Sequence, residues 1–277
     1  MAWSAQMTAQ SHLETFYDRH WEHTDTAADP NIAAKGDLVL RLLPEGVRTL
    51  ADVGCGDGYL THRLSERCEV TAIDLSAVAL ERAKARASRV ARVIQASADA
   101  IPLPDGAVDL VFSSEMLEHL PAGVLQGAAV EMSRVAGRWL LLSVPHREGL
   151  RRRFAQCPRC RHEFHVYGHL HSFDAPALDR LFPAFERVAT EITGPLETPF
   201  CDPIERVRQR VLGKWWLWDK LRLTCPACGE TAFEKRRLGP LRRAAVRGLD
   251  AATAVWRVAA KRSPEPYWLV SLYRRRA

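Results

Sequence analysis

Two cysteine motifs stand out in this chain of 277 residues, because cysteine pairs at their spacing bind metal ions. Cys157 and Cys160 form one C-x-x-C motif, and Cys225 and Cys228 form a second. Each such turn presents two thiolates to one ion, and two turns complete a tetrahedral zinc site. The four cysteines therefore predict a structural Zn²⁺. A redox dithiol, for which one pair suffices, is the less favoured alternative.

A second group of residues has the spacing of a nucleotide-type binding turn. Gly54, Gly56 and Gly58 follow a β-prone run and precede a helical pattern. Glycines there let the backbone bend tightly and let a ligand approach without meeting a Cβ atom. Asp74 follows at the end of the next β-prone run, where a carboxylate can hold a ribose diol. Glycines, acidic strand end and element order together predict a ribose-containing cofactor.

The elements that must position these residues alternate between β-prone and helical patterns. This order is typical of a parallel sheet with helices on its faces, so the sequence predicts an α/β fold. Strands are predicted over residues 49–53, 70–73, 90–94, 108–112 and 139–144, and helices over 77–87, 116–120 and 175–181.

Three runs resemble the class I S-adenosylmethionine-dependent methyltransferases, and the closest branch is the small-molecule one that includes the ubiquinone/menaquinone-biosynthesis enzymes. They read LADVGCGDG at 50–58, AIDLS at 72–76 and IPLPDGAVDLV at 101–111. Nicotinamide dehydrogenases space their glycines as G-x-G-x-x-G, whereas this chain has G-x-G-x-G. The resemblance implies S-adenosylmethionine as cofactor and a Rossmann-like seven-stranded mixed sheet with helices on both faces. Its sixth strand would cover 185–192, and its antiparallel seventh 267–273.

The resemblance also implies the residues of the cofactor site. The three glycines would line the methionine moiety, and Asp52 would help to fix its amino group through the loop. Asp74 would take both ribose hydroxyls. Ser97 stands where the family often carries an acid near the adenine. The implied cofactor-binding set is Asp52, Gly54, Cys55, Gly56, Gly58, Asp74, Leu75, Ser97, Ala98, Asp99, Ser113 and Ser114.

Two residues after strand ends are candidate catalytic groups. Methyl transfer from a sulfonium is an in-line displacement, so alignment is the protein's main contribution, and a base is needed only if the acceptor loses a proton. His146, just past the fifth strand, is the preferred base. Glu115, past the fourth, is the second candidate, with helix capping or cofactor binding as its alternative roles.

The predicted domain organisation has four parts. Residues 1–45 form amino-terminal lid helices, for which an ordinary capping helix is the alternative. Residues 46–193 form the cofactor-binding core, with the first cysteine motif at 157–160. Residues 194–265 form a basic helical insertion with a structural zinc ligand pair, and residues 266–277 return as the strand that completes the sheet.

Two further patterns fall around the cysteine motifs. His162, His165, His169 and His171 are expected to hydrogen-bond locally or to line the acceptor pocket, with a second metal site as the alternative. Apolar residues recur at helical spacing over 207–221 and 241–259, with arginines and lysines between them. Such stripes ordinarily pack on a core and leave a solvated cationic face.

Charge is distributed unevenly along the chain. Residues 1–150 contain 14 lysines and arginines against 20 acidic residues, whereas residues 151–277 contain 25 against 13. The basic half therefore bears on the methyl acceptor, which we expect to be an anionic or lipid-linked small molecule. An RNA methyltransferase is the second hypothesis, and a non-catalytic membrane-surface or partner-binding protein the third.

The apolar pattern also bears on location. No run reaches the roughly 18–20 apolar residues of a membrane span, and the first residues lack the order of a secretory signal. The sequence therefore predicts a cytoplasmic protein, with peripheral membrane contact as the remaining membrane interaction.

Overall fold

The chain folds into two compact units. A computed structural model describes residues 17–18, 21–22, 25–26, 29–87, 89–215, 223–234 and 238–277. The unit that we call the sheet unit contains the described residues up to His146, together with 173–195 and 267–277. The unit that we call the cysteine unit contains residues 147–172 and the described part of 196–266.

A seven-stranded mixed sheet forms the centre of the sheet unit. Its strands are β1 Thr49–Val53, β2 Glu69–Asp74, β3 Arg92–Gln95, β4 Val108–Ser114, β5 Ala136–Pro145, β8 Phe185–Glu197 and β9 Glu265–Arg275. Their order is β3-β2-β1-β4-β5-β9-β8. The first five strands are parallel, and β9 pairs antiparallel with β5. The predicted seven-stranded fold, with the last strand inserted beside the sixth, is confirmed.

Helices of the sheet unit connect these strands, and three of them begin at a side-chain cap. They are α1 Pro30–Leu42, α2 Tyr59–Ser65, α3 Ala77–Arg86, α4 Ala122–Val135 and α5 Ala175–Leu181. The Ser76 side chain accepts from the Ala79 N–H at the start of α3, and Asp174 caps α5 in the same way. The predicted helix over 116–120 is wrong in type, since the chain forms a 3₁₀ turn at Leu117–His119.

Alternating side chains along the strands build an apolar layer on each face of the sheet. Ala51 and Val53 of β1 join one cluster, whereas Leu50 between them joins the other. Strand β5 repeats the pattern, with Leu140 and Leu142 on one side and Leu141 on the other. This alternation follows from the two-residue period of a strand. Both faces of the sheet are therefore apolar, and polar residues such as Asp74 lie at the strand ends, beside the glycine turn.

The cysteine unit is built from several short elements and one longer helix around a small core. They are the antiparallel pair β6 Phe154–Gln156 and β7 Glu163–His165, a 3₁₀ turn Leu150–Arg153, α6 Asp202–Arg206, a π-helical turn Val207–Val211 and α7 Pro240–Ala259. Its buried apolar residues are Ala155, Cys157, Phe164, Val166, Leu223 and Cys225.

Helix α7 departs from the predicted packing of its apolar stripe. The helix is present, but among its residues only Val246 is buried. Of the predicted stripe, Leu241 is exposed, and Leu249 and Trp256 are half-buried. The predicted stripe over 207–221 extends beyond the described residues, as does about half of the predicted lid over 1–45. Within the described part of the chain, every helix is too short or too polar to cross a lipid bilayer.

Candidate cofactor and zinc sites

The glycine turn joins the end of β1 to the start of α2 and is fastened to the end of β2. The backbone N–H groups of Gly54 and Cys55 donate to the carbonyl oxygen of Ile73, at 2.8 and 3.1 Å. Gly56 has a φ angle of 54°, in the left-handed region that favours glycine. Gly58, with φ of 77°, packs against α3, because a Cβ atom there would lie 2.5 Å from the Cα of Ala83.

The Asp74 carboxylate is oriented by this turn. One of its oxygens accepts from the Gly56 N–H at 2.9 Å, and the other accepts from the Ser76 N–H at 2.9 Å. Burial raises the pKa of Asp74 above its ordinary value, although these backbone hydrogen bonds oppose the rise. The carboxylate thus has a fixed orientation at the carboxyl end of β2, and its remaining lone pairs are available to a ligand.

The Asp52 side chain is buried beneath the glycine turn. It is 2% exposed and accepts a 2.6 Å hydrogen bond from the Thr61 hydroxyl of α2. Burial raises the pKa of Asp52 to about 7, although the Thr61 hydrogen bond opposes the rise. Its contact with α2 is consistent with support of the loop.

Described residues before α1 lie against the glycine turn. A Cβ atom at Gly56 would meet the Trp21 indole at 2.5 Å. The Asp18 carboxylate accepts from the Ser76 hydroxyl at 2.5 Å, next to Asp74. Asp57 of the turn also accepts from the Thr26 N–H at 3.0 Å. The sequence placed this segment near the cofactor but did not identify these contacts.

The remaining predicted cofactor residues lie at the same edge of the sheet. The Leu75 carbonyl accepts a hydrogen bond from the side-chain amide of Gln95, the last residue of β3. The Ser97 hydroxyl donates to the Asp99 carboxylate, and Ala98 between them is half-buried. At the end of β4, the hydroxyl of Ser113 donates to the carbonyl of Val53 at 2.8 Å.

The neighbouring Ser114 has an unsatisfied polar group at this edge, as a site for a polar ligand would. Its hydroxyl is buried and has no hydrogen-bond partner among the described residues. A buried hydroxyl without a partner is costly, so such groups are commonly satisfied by a ligand or water. Together with the Asp74 oxygens, it gives the glycine-turn edge polar groups suited to a ribose-containing cofactor.

Glu115 follows β4 with a φ angle of 54°, which is uncommon for a residue other than glycine. Its carboxylate accepts from the Trp268 indole N–H at 2.9 Å and lies 3.5 Å from the Lys35 ammonium. Lys35 is only 2% exposed and also lies over the Trp268 ring. The sequence predicted Glu115 but missed both partners, although a lysine in the apolar run of α1 is an unusual signal.

His146 occupies the end of β5 at the same edge. Its backbone N–H donates to the Tyr267 carbonyl at 2.6 Å, and the residue forms a parallel bridge with Phe173. Register places Ser143 beside Ser114 of β4, and the Glu115 N–H donates to the Ser143 carbonyl. His146 and Glu115 therefore both follow strand ends at one edge, as predicted.

The four cysteines of the two motifs converge in the cysteine unit. The sulfur atoms of Cys157 and Cys228 lie 3.6 Å apart, as do those of Cys160 and Cys225. All four sulfurs lie within 4.8 Å of one another. Tetrahedral Zn–S bonds of about 2.3 Å place sulfurs about 3.8 Å apart, so this donor set fits a zinc ion.

The two C-x-x-C turns, which we call the first knuckle (157–160) and the second knuckle (225–228), have matching backbone hydrogen bonds. The Cys157 N–H donates to the His162 carbonyl, and the Cys225 N–H donates to the Glu230 carbonyl, both at 2.8 Å. Burial raises the pKa of the Cys157 thiol, but hydrogen bonds from the backbone of Cys160 and Arg159 outweigh it and lower that pKa to about 7. A stabilised thiolate is the form that binds metal.

Two of the four histidines belong to a buried ionic cluster. His165 and His169 stack with ring centroids 4.6 Å apart, and both lie against the Glu148 carboxylate, which also pairs with Arg153. The His169 N–H donates to Nδ1 of His165, so neutral His165 carries its proton on Nε2, facing Glu148. This tautomer favours hydrogen bonding over the alternative of a second metal site.

Comparison with known proteins agrees with the site geometry. Residues 50–137 match the family described as "Methyltransferase domain". This part of the chain, which contains β1 to β4, the glycine turn and Asp74, is similar to methyltransferase domains.

Individual relatives resemble only part of the chain. An uncharacterized methyltransferase of Mycobacterium bovis is 36% identical over 102 residues, which cover 36% of this chain and 49% of the relative. The 27-O-demethylrifamycin SV methyltransferase of Amycolatopsis mediterranei is 32% identical over 151 residues, or 50% of this chain and 55% of the relative. The chain thus spans about half the length of these relatives.

A solved structure extends the likeness in fold. The N-methyltransferase NodS from Bradyrhizobium japonicum, in complex with S-adenosyl-L-homocysteine, aligns with a TM-score of 0.53 and 18% identity. The alignment covers 67% of this chain and 92% of NodS. At this identity the likeness concerns the fold alone.

Proposed function

We propose that the protein transfers a methyl group from S-adenosylmethionine to a small molecule. The observation that carries the proposal is the Asp74 carboxylate, which the Gly56 N–H orients at the carboxyl end of β2. It lies within the region that matches methyltransferase domains. A carboxylate at this strand end is where such folds hold a ribose diol. S-adenosylmethionine, when bound, supplies an electrophilic methyl group on a sulfonium.

The glycine turn and its neighbours would hold this cofactor. Asp74 would accept from both ribose hydroxyls, and the turn around Gly54 and Gly56 would bind the methionine end. The adenine would lie beside residues 97–99. Trp21 already covers Gly56, so the segment that carries it is placed to exclude water from the bound cofactor as a lid would.

The acceptor would be aligned by the residues after β4 and β5. Glu115 is fixed by Lys35 and Trp268, so it can hold a hydroxyl or amine of the acceptor in one orientation. His146 would take a proton from the acceptor where the reaction releases one. Glu115 is thereby a positioning group, and His146 is the base.

Two observations support a small acceptor of anionic or lipid-linked type. One partial relative is named for methylation of a rifamycin, which is a small molecule. The second is the excess of lysine and arginine after residue 150, which favours an acceptor that carries negative charge. Both observations concern the class of the substrate, and the methyl-transfer screen identifies the acceptor.

We further propose that Cys157, Cys160, Cys225 and Cys228 hold one structural zinc ion. The sulfur separations of 3.6 Å support this assignment, as does the matched backbone of the two knuckles. Four sulfur ligands complete a tetrahedral site, so no position remains for substrate. The ion would organise the cysteine unit and take no part in methyl transfer.

A methyl-transfer screen tests the proposed function. The protein is incubated with S-adenosylmethionine labelled in the methyl group and with pooled anionic metabolites, acyl carrier thioesters, extracted lipids or total RNA. Label should enter a small molecule or a lipid-linked one. Label confined to RNA would reject the small-molecule acceptor, and cofactor binding without any transfer would reject the enzyme.

The role of His146 is tested once an acceptor is known. His146→Ala should lower kcat by about 100-fold or more and leave the KM for S-adenosylmethionine unchanged. His62→Ala is the matched control, because it removes an imidazole from α2 of the same unit. Equal kcat values for His146→Ala and the wild type would remove His146 as the base.

A further inference from the structure

A cleft lies within the cysteine unit. It has a volume of about 280 Å³ and is lined by Gln156, Arg161, Gln209, Arg210, Trp215 and Arg242. Its walls come from the first knuckle, the π-helical turn and the start of α7. Three guanidinium groups and an indole in one cleft are suited to a ligand with negative charge beside an apolar or aromatic part.

Two of the three arginines have no counter-ion within the part of the chain that the structure describes. Among the described residues, no carboxylate pairs with Arg161 or Arg242, whereas Arg210 donates to Glu163 at 3.0 and 3.1 Å. Glu163 also pairs with Arg151, so at least two positive charges of the cleft are uncompensated among the described residues. A phosphate monoester carries about −1.5 to −2 charge at neutral pH, which matches this excess better than a single carboxylate does.

Gln209 supplies an independent indication of a ligand. Its side chain is fully buried, and its amide nitrogen donates to the Arg151 carbonyl at 2.6 Å. This contact fixes the orientation of the amide. The amide oxygen, which is also buried, has no hydrogen-bond partner among the described residues. A hydroxyl or amine on a ligand in the cleft would satisfy it.

Arg161 stands where glycine would suit the backbone better. It has a φ of 64°, and Gly229, at the equivalent place in the second knuckle, has a φ of 72°. Both residues donate their N–H to the carbonyl of the first cysteine of their knuckle. Left-handed backbone disfavours residues with a Cβ atom. The side chain of Arg161 is therefore retained at a conformational cost, in a position that lines the cleft.

We propose that this cleft binds a small phosphate ester that carries a planar apolar group and a hydroxyl or amine. The phosphate contacts Arg161, Arg210 and Arg242, the planar group lies against Trp215, and the donor reaches the Gln209 oxygen. Its residues belong to the cysteine unit, whereas the proposed cofactor residues belong to the sheet unit, and binding in the cleft requires no methyl transfer. Its failure would therefore leave the proposed function standing, and the reverse also holds.

Calorimetric titration of the full chain, purified with zinc, tests the cleft at low salt. The probe is phenyl phosphate, with inorganic phosphate and phenol as comparison ligands. We expect phenyl phosphate to bind more tightly than inorganic phosphate, and phenol not to bind. Equal binding of the two phosphates would overturn the role of Trp215, and no binding of phenyl phosphate would overturn the site.

Paired variants separate the cleft from general positive charge. Arg161→Gly and Arg242→Ala should each weaken phenyl phosphate binding by about tenfold, since each removes a charge-assisted contact. Arg159→Ala and Arg243→Ala remove neighbouring exposed arginines that do not line the cleft, and each should change affinity by less than about twofold. Equal weakening by all four variants would overturn the proposal.

The Arg161→Gly variant also controls for folding. Glycine relieves the left-handed backbone, so the variant should melt at the same temperature as the wild type or higher. If the variant melts at a lower temperature and does not bind, the loss of binding comes from damage to the fold, and the assignment of Arg161 is overturned. Binding of anionic vesicles or of RNA without binding of phenyl phosphate would replace the small ligand with a macromolecular surface.

Discussion

The two units of this protein are stabilised in different ways. The sheet unit has an apolar layer on each face of its sheet, and side chains such as Leu50, Leu140 and Leu141 are fully buried. The cysteine unit buries few apolar residues, and it buries Glu148, His165 and Gln209 as well. Burial of apolar surface dominates the first unit. Ion pairing, together with the zinc ion that we propose, would dominate the second.

This difference teaches where each unit is sensitive to mutation. A sheet with continuous apolar layers distributes its stability over many contacts, so its polar strand ends can change without loss of the fold. A small core, by contrast, needs a metal or a similar constraint to remain folded. We therefore expect replacement of polar residues to have different results in the two units. It should unfold the cysteine unit, and it should weaken ligand binding by the sheet unit.

The largest expected effect is loss of the zinc ligands. Structural zinc contributes on the order of 10 kcal/mol to the folding of small domains. Cys157→Ser or Cys228→Ser should abolish zinc binding and make the cysteine unit sensitive to proteolysis, measured by metal analysis and limited digestion. Cys201→Ser, which removes a lone cysteine of the same unit, should keep about one zinc per chain.

The comparison fails if the cysteine unit needs no metal. Wild-type protein purified without added zinc, with the four thiols freely reactive and the unit resistant to protease, would contradict it.

Glu148→Gln tests the buried ionic cluster and should be the next largest effect. Removing one partner of a buried pair costs about 3–5 kcal/mol, because Arg153 and the histidines lose their carboxylate. Hydrogen bonds with His165 and His169 outweigh burial and hold the pKa of Glu148 well below its ordinary value. Its stabilisation is therefore present above about pH 4 and is lost as pH falls.

Urea unfolding at several pH values measures this effect. The difference between wild type and Glu148→Gln should be largest near neutral pH and should shrink below about pH 4. The exposed Glu234→Gln is the control and should change stability by less than about 0.5 kcal/mol. A cost that does not vary with pH would mean that ionised Glu148 is not the stabilising form.

Asp52→Asn gives a smaller effect with the opposite pH dependence. Burial raises the pKa of Asp52 to about 7, above its unfolded value of about 4, so folding favours the protonated acid. Stability from this group is present below about pH 4 and is lost as pH rises towards 7, by up to about 4 kcal/mol. Asparagine does not titrate, so the variant should gain relative to wild type over this interval.

Unfolding of wild type and Asp52→Asn at pH 5 and pH 8 measures that gain. Asp105→Asn, an exposed carboxylate of the same unit, is the control and should show little relative change. The same stability difference at both pH values would show that Asp52 stays ionised when buried.

Much of the fold could be predicted because it depends on local patterns. Apolar β-prone runs and the glycine turn predicted the first strands, and the family resemblance added the inserted last strand. The helix expected over 116–120 failed because the chain enters a positive φ at Glu115 and reaches Pro121 within a few residues. Proline after so short a segment favours a brief turn and a new helix beyond it.

The partners of the site residues could not be predicted, because they come from distant parts of the chain. Lys35 and Trp268 meet Glu115 from the first described helix and the last strand. The paired C-x-x-C motifs were more informative, since their spacing alone predicted that four sulfurs converge. The exposure of the α7 stripe was missed because amphipathic spacing indicates an apolar face and does not identify what covers it.

The central claim is that Asp74 and the glycine turn bind S-adenosylmethionine, and calorimetric titration with S-adenosylhomocysteine tests it most directly. The wild type should bind one ligand per chain, and Asp74→Asn should weaken binding by at least about 100-fold, since two hydrogen bonds to a charged group are lost. Glu69→Gln, at the exposed start of the same strand, should bind as the wild type does. Equal affinity of Asp74→Asn and the wild type would contradict the account.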